Sequence, residues 1–215
     1  MSLADPVGTW PWPPEVPPRH PAWPTEPPGP GPVPILPSWE ERSLERDITD
    51  RLLQKRVIIV GGRLDDSLAN HATEQLLLLG RGDDRPIEVH LACPDADLDP
   101  SLALADAVEL IEAPVHAVVR GILRGPAVAV LCAAVKRAAH RHAMVVLTLP
   151  AGSAEGTATE RVVLAEQHER QVTRLSNCIS QVTGRRGADV AADLRSGRVL
   201  SAEQALDYGL FDGLL

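Results

Sequence analysis

The sequence predicts an α/β fold with mainly parallel strand pairing, preceded by an irregular proline-rich arm. Short apolar runs rich in Val and Ile, such as Arg56–Val60, are typical of buried strands. Stretches with helical spacing separate these runs, and strand–helix alternation favours parallel pairing. The first 38 residues hold 14 of the 20 prolines, and proline suits neither helix interiors nor sheet ladders.

The proline distribution divides the chain into two parts. We expect residues 1–38 to form an arm that is disordered or in polyproline II, and residues 39–215 to form the folded domain. All four tryptophans lie in the first 40 residues, and Trp10, Trp12 and Trp23 belong to the arm. Two interpretations stay open, because exposed Trp usually marks a contact. The arm is either an inert solvated segment or a docking or blocking segment.

The first half of the domain predicts three β-α steps. A charged, leucine-punctuated stretch predicts a helix over 38–55, and a strand at Arg56–Val60 is closed by Gly61-Gly62. Asp65 and Asp66 begin a helix that reaches about Leu79. The remaining elements predicted here are a strand at 87–93, a helix at 100–112 and a strand at 115–119.

The second half predicts more helix than strand. An alanine-rich segment predicts a helix over 126–140, and Pro126 suits its first turn because no N–H is needed there. The other elements predicted are a strand at 143–149, a long polar helix over about 157–182 that stops at Gly184, and shorter helices at 186–195 and 201–208.

Composition argues against several classes of function. A formal charge of −8 argues against nucleic acid as a partner, because phosphate binding needs a basic footprint. Cys93, Cys132 and Cys178 suggest neither a disulfide framework nor a metal site, so we expect no metal or cofactor and a reducing cytoplasm. The sequence shows neither a signal-peptide pattern nor an apolar run long enough to span a bilayer. We therefore expect neither secretion nor membrane contact. The glycine pair after the first strand lacks the spacing of a nucleotide-binding loop.

Three segments in order resemble the Clp protease proteolytic subunit. They are "RLLQKRVIIVGGRLDD" at 51–66, "PAGSAEGTATE" at 150–160 and "LSAEQALDYGLFDGLL" at 200–215. The resemblance covers about residues 40–215. It implies the repeated β-α units of the Clp protease and crotonase-like folds, with a long handle helix that pairs two rings. It also implies serine peptidolysis in a closed chamber of two stacked seven-membered rings.

The residues at the family's catalytic positions have changed. The Ser position falls on Gly125, which has no side chain to form an acyl-enzyme. The His position falls on Thr148, and threonine cannot serve as a general base near neutral pH. The Asp position falls on Asp193, which is kept but has no His to orient. We therefore expect a structural role for Asp193.

The two oxyanion donors of the family are altered as well. One donor position falls on Ala96, in a Cys93-Pro94-Asp95-Ala96 stretch where the family has S-P-G-G. Asp95 brings a negative charge to this place, which is the wrong sign for an oxyanion. The other donor position falls on Pro126, which has no N–H. The resemblance thus implies a catalytically degenerate member.

Candidates for a relocated site are weak. Ser67 and Ser101 fit helix starts, and Ser153 belongs to the handle loop without a histidine beside it in sequence. His140 and His142 lie at the far end of the fourth predicted strand from Thr148, and we interpret them as exposed loop residues.

The segments that the family uses for assembly still match its sequence pattern. Gly152, Gly156 and Thr157 match the handle loop, and apolar residues of the next helix are spaced to pack against a partner ring: Val162, Val163, Ala165, Val172, Leu175 and Ile179. The leading hypothesis is a non-catalytic, structural or regulatory Clp subunit in rings with itself or an active paralogue, with an AAA+ unfoldase as a further candidate partner. The alternatives are an adaptor or decoy that uses the arm, a serine peptidase with a relocated site, and a crotonase-like enzyme acting on a coenzyme A thioester.

Overall fold

Two sheets form the framework of the part of the chain that the computed structural model describes, residues 38–150 and 157–215. The main sheet has five parallel strands in the order β1-β2-β3-β5-β8, and the second sheet has three in the order β4-β6-β7. Strand β6 pairs with β4 in parallel and with β7 antiparallel. The strands are β1 Val57–Leu64, β2 Ile87–Ala96, β3 Val115–Val119, β4 Ile122–Arg124, β5 Lys136–Ala139, β6 Met144–Leu147, β7 Arg198–Ser201 and β8 Gly213–Leu214.

Seven α-helices connect these strands in the described residues, and the predicted α/β class with mainly parallel pairing is confirmed. A single 3-10 turn, Gly125–Ala127, joins β4 to α4. The helices are α1 Ser38–Gln54, α2 Asp66–Leu79, α3 Leu98–Leu110, α4 Val128–Ala133, α5 Ala158–Thr183, α6 Gly187–Ser196 and α7 Ala202–Tyr208.

The core lies on one face of the main sheet. Along β2, Ile87, Val89 and Leu91 are buried, whereas Glu88 is exposed and His90 is half-buried. Helices α2, α3 and α4 supply the residues that pack with the buried set, among them Leu76, Leu104 and Leu131, in one apolar cluster. The scarcity of aromatic residues explains why this cluster consists almost wholly of aliphatic side chains.

Two strands are longer than the sequence predicts. The strand predicted to close at Gly61-Gly62 continues to Leu64 through an irregularity in its register between Gly61 and Arg63. Gly62 takes a φ of +93° there, which glycine adopts without a Cβ penalty. The strand predicted at 87–93 likewise continues to Ala96, so the Cys93–Ala96 stretch is strand and not loop.

The helix predicted over 126–140 is wrong in its second half. Helix α4 ends at Ala133, and Lys136–Ala139 forms β5 inside the main sheet, between β3 and β8. The alanines of this segment favour helix by propensity, but pairing with strands on both sides overrides a weak local preference. Strands β4, β7 and β8 were not predicted, because runs of two to four residues show no readable periodicity.

The long helix α5 agrees with the sequence prediction. It spans Ala158–Thr183 and ends where Gly184 takes a left-handed φ of +67°. None of the helices in the described ranges combines the length and apolarity needed to cross a membrane. The arm, apart from Ser38, lies outside the described residues, and its boundary with the domain stays a prediction.

Candidate active site

The turn at Gly125 has the geometry of a nucleophile position. Strand β4 ends at Arg124, and Gly125 opens the buried 3-10 turn that leads into α4. The φ of Gly125 is +56°, in the left-handed region. Hydrolases of the α/β class carry their nucleophile on such a sharp strand-to-helix turn. Gly125 opens a strand-to-helix turn of this kind and carries no side chain.

Thr148 lies directly beside this turn. A Cβ built on Gly125 would be 3.4 Å from Cγ2 of Thr148 and 3.4 Å from its carbonyl oxygen. The cause is the parallel pairing of β4 with β6, which sets Arg124 opposite Val146 and brings the ends of both strands together. The Thr148 hydroxyl donates a long hydrogen bond of 3.5 Å to the Leu149 carbonyl. The structure therefore brings together the two positions predicted for nucleophile and base.

Asp193 lies next to the same place, on α6. The Leu149 N–H donates to the carbonyl of Leu194 at 3.1 Å, which ties the residue after Thr148 to the residue after Asp193. The Asp193 carboxylate accepts from the Tyr208 hydroxyl at 2.8 Å and from Nη1 of Arg198 at 3.1 Å. The backbone bond thus brings the chain around Asp193 next to the chain around Thr148, and the Asp193 carboxylate is held by a tyrosine and an arginine.

The Tyr208 side chain forms the centre of this second arrangement. Burial raises the pKa of its hydroxyl, and the hydrogen bond to Asp193 raises that pKa further, so the phenol stays a donor. The guanidinium of Arg185 stacks 3.9 Å from the ring centroid, and that of Arg198 lies 5.3 Å away. The Asp193 carboxylate is thus occupied by contacts within this chain. The sequence led us to expect a structural role for Asp193 but did not identify Arg198 and Tyr208 as its partners.

The two oxyanion-donor positions offer no free N–H. Pro126 is buried in the 3-10 turn and has no amide proton. The Ala96 N–H donates to Oδ1 of Asp95 at 3.0 Å. Asp95 in turn faces Arg63 at 3.4 Å, and Arg63 also pairs with Asp97 at 2.8 Å. Strand β2, which ends at Ala96, contacts the 3-10 turn that begins at Gly125. The spacing of the sequence alone could not show the Asp95–Ala96 hydrogen bond.

Two serines and two cysteines come into question as substitute nucleophiles, and none has a reactive environment. The Ser101 hydroxyl donates a hydrogen bond to the Asp97 carbonyl at 2.6 Å. Ser67 lies in the first turn of α2, directly after the N-cap residue Asp65 and Asp66. Burial raises the pKa of the Cys93 thiol to about 11 and that of Cys132 to about 12, which leaves almost no thiolate at neutral pH. Ser153 lies outside the described residues.

The handle prediction is only partly covered by the structure. Gly152 and Gly156 lie outside the described residues, whereas Thr157 is the N-cap of α5 and forms a capping box with Glu160. Hydrogen bonds from the backbone N–H and the hydroxyl of Thr157 hold the pKa of the Glu160 carboxyl below its ordinary value. The start of α5 is therefore fixed by its own side chains.

The apolar residues of α5 fall into a buried group and an exposed group. Leu175 and Ile179 are fully buried in the core of this chain, so the prediction that they face a partner ring is wrong. Val162 and Val163, more than three turns towards the amino terminus, are 59% and 60% exposed. A continuous apolar spacing in sequence could not separate these two halves. Only the exposed half is available for a partner.

A cavity of about 490 Å³ adjoins the site between α5 and α6. Leu149, the residue after Thr148, forms part of its wall, together with Val172, Ser176 and Ala191. There is therefore open space next to Thr148. Neither the cavity nor its lining was visible in the sequence.

Comparison with known proteins agrees with this architecture. A family model described as Clp protease matches residues 40–215. An ATP-dependent Clp protease proteolytic subunit of Dehalococcoides mccartyi is 33% identical over 172 residues, covering 79% of this chain and 86% of the relative. A subunit 1 of Shouchella clausii and a subunit 2 of Rhodococcus jostii are each 30% identical, with 79% of this chain and 89% of the relative covered.

Proposed function

Because the chain belongs to the Clp protease family, we propose that it is a non-catalytic subunit of a Clp assembly, with a structural or regulatory role. One observation carries this proposal. A Cβ on Gly125 would lie 3.4 Å from Thr148, where nucleophile and base would meet, and neither residue can perform that chemistry. The proposal places the assembly in the cytoplasm, where its cysteines stay reduced.

The oxyanion positions support the same proposal independently. An acyl-transfer transition state needs N–H donors aimed at the developing negative charge, and loss of one donor costs about 10²–10³ in rate. Here Pro126 has no donor, and the Ala96 N–H is already bonded to the carboxylate of Asp95. A return of the serine alone would therefore leave the transition state unsupported.

The well-formed framework around the site supports a role in assembly. The strand-to-helix turn, the capped start of α5 and the closely tied Asp193 cluster are all well formed without serving catalysis. Val162 and Val163 form an exposed apolar stretch on α5, as expected of a surface that packs on another subunit. The proposed partners are copies of this chain or an active paralogue, with an AAA+ unfoldase acting on the assembled rings.

Native mass spectrometry of the chain co-expressed with an active Clp subunit tests the assembly half of the proposal. We expect rings that contain this chain, alone or mixed. The variant Val163→Glu should weaken pairing of rings, whereas Val199→Glu, a similarly exposed valine on β7, serves as the matched control. A chain that stays monomeric both alone and with the active subunit contradicts the proposal.

A further inference from the structure

A small cavity of about 230 Å³ lies beside the side chain of Tyr208. Strand β7 contributes Arg198 and Val199 to its wall, and helix α7 contributes Gln204 and Asp207. The cavity is smaller than the roughly 300–1,000 Å³ of pockets that hold drug-sized ligands, so its size suits a small metabolite. It shares no lining residue with the larger cavity between α5 and α6. We call it the Tyr208 cavity.

Arg185, in the connection between α5 and α6, supplies a fixed positive charge to the Tyr208 cavity. Its Nε donates to the Tyr208 carbonyl at 3.2 Å, and its guanidinium stacks 3.9 Å from the centroid of the Tyr208 ring. Within residues 38–150 and 157–215, Arg185 forms no ion pair, and its two Nη atoms have no hydrogen-bond partner. A guanidinium held by its Nε and its flat face keeps its terminal N–H groups for an oxyanion.

Gln204 adds a neutral donor beside this cation. Its Oε1 accepts from the Ser201 N–H at 2.9 Å in the capping box of α7, which fixes the orientation of the amide group. The Nε2 atom of the same amide has no partner among the described residues and remains a donor. Arg198 contributes less positive charge, because its Nη1 already pairs with Asp193 at 3.1 Å. Arg185 and Gln204 are therefore the two groups best placed to hold a carboxylate.

Asp207 brings the opposite charge to the same cavity. It is exposed and lies three positions after Gln204, on the same face of α7. In the part of the chain that the structure describes, the Asp207 carboxylate pairs with no cation, although Arg185 also lines the cavity. A free cation and a free anion thus border one cavity without contacting each other. A ligand that carries both charges on a short frame complements this arrangement.

Val199 gives the Tyr208 cavity an apolar side. It is 55% exposed, whereas Leu200, the next residue of β7, is buried in the core. Successive strand residues point to opposite faces, so Val199 faces outwards between two polar groups of ligand-binding character. An apolar ligand group that covers Val199 removes hydrocarbon surface from water on both partners.

We propose that the Tyr208 cavity binds a free α-amino acid with an apolar side chain. Its carboxylate would meet the Arg185 guanidinium and the Gln204 amide, its ammonium would meet Asp207, and its side chain would cover Val199. The proposal does not rest on the assembly role proposed above, because this chain alone supplies every lining group. A peptide terminus carries the same groups, with the two charges held further apart or only one of them present.

Ligand-observed saturation-transfer NMR with the full chain tests this proposal. The probe is L-leucine, titrated to about 10 mM. N-acetyl-L-leucine lacks the ammonium, L-leucinamide lacks the carboxylate, and glycine lacks the apolar side chain. In leucyl-leucine the two charges lie one residue, about 3.5 Å, further apart. We expect L-leucine to bind at least about tenfold more tightly than each of these four compounds.

Two pairs of variants locate the binding. Asp207→Asn should weaken L-leucine at least about tenfold and leave N-acetyl-L-leucine unchanged, whereas Glu203→Gln, at an exposed position of α7 outside the cavity, should change neither. Arg185→Gln should weaken L-leucine, whereas Arg186→Gln, which removes only an exposed pair with Asp189, should not. Thermal melting of each variant confirms that folding is kept.

The Asp207 pair keeps the test decisive if Arg185→Gln fails to fold. Four outcomes would each overturn the proposal: no saturation transfer to L-leucine up to about 10 mM, equal binding by any compound that lacks one of its groups, tighter binding of leucyl-leucine, or equal losses in Asp207→Asn and Glu203→Gln.

Discussion

A side chain on Gly125 would begin 3.4 Å from Cγ2 of Thr148, so the two positions form one contact at the end of β4 and β6. In an active relative this contact would join a nucleophile to its base. Here it joins a residue without a side chain to a methyl group. The same contact explains why repairing one position leaves the chemistry incomplete.

Gly125 should tolerate substitution poorly for a reason unrelated to catalysis. Its φ of +56° is unfavourable for any residue with a Cβ, so we expect Gly125→Ala to lower the free energy of unfolding by about 1–2 kcal/mol. Gly61→Ala is the matched control, because Gly61 lies outside the left-handed region and a Cβ there meets nothing within 4 Å. Urea denaturation gives both values, and a neutral Gly125→Ala contradicts the turn geometry.

We expect the Asp193 side chain to contribute to the stability of the fold. Its carboxylate is 19% exposed and binds Tyr208 and Arg198, so Asp193→Ala should cost about 2 kcal/mol of unfolding free energy. Asp189→Ala, on the same helix, removes only an exposed pair with Arg186 and should change stability little. Thermal or urea denaturation compares them, and similar small effects in both variants would show that the Asp193 cluster adds little.

The start of α5 should weaken in acid. The pKa of Glu160 is lowered in the folded chain, so its contribution is complete above its ordinary value of about 4.3 and is lost as pH falls through the lowered folded value. Amide exchange of the first turn of α5, corrected for intrinsic rates, should show this loss of protection. The pH dependence should disappear in Glu160→Gln and persist in Glu166→Gln; persistence in both variants contradicts the assignment.

Rebuilding the site should require the oxyanion donors as well as the serine. We expect Gly125→Ser alone to restore nothing, and Gly125→Ser with Thr148→His to stay near background. Adding Pro126→Ala and Asp95→Gly supplies one amide donor and frees another, and should raise labelling by a serine-reactive probe about 10²-fold or more. Equal labelling with and without these two changes would show that the donors do not limit the reaction.

The sequence predicted which parts of the chain meet at the site better than it predicted the secondary structure around it. Aligned motifs predicted that Gly125, Thr148 and Asp193 belong together. In the structure Gly125 lies beside Thr148, and Leu149, which follows Thr148, is hydrogen-bonded to Leu194, which follows Asp193. The end of α5 at Gly184 was also predictable, since glycine is the residue most often found in the left-handed conformation at a helix end.

Other features depend on distant contacts that no local pattern records. Lys136–Ala139 becomes strand because β3 and β8 flank it, against its helical composition. The buried half of α5 differs from the exposed half only through what packs on it. The Asp95 bond to Ala96 and the Arg198–Asp193–Tyr208 cluster require side-chain directions, which residue spacing does not give.

The most direct test of the central claim is labelling of the assembled wild-type chain with a serine-reactive fluorophosphonate probe, alongside turnover of a fluorogenic peptide. An active Clp subunit in the same assay is the positive control. We predict no labelled serine and no turnover by this chain, alone or in rings whose active partner carries an inactivated serine. A labelled serine in this chain, or peptide cleavage that depends on it, would contradict the account.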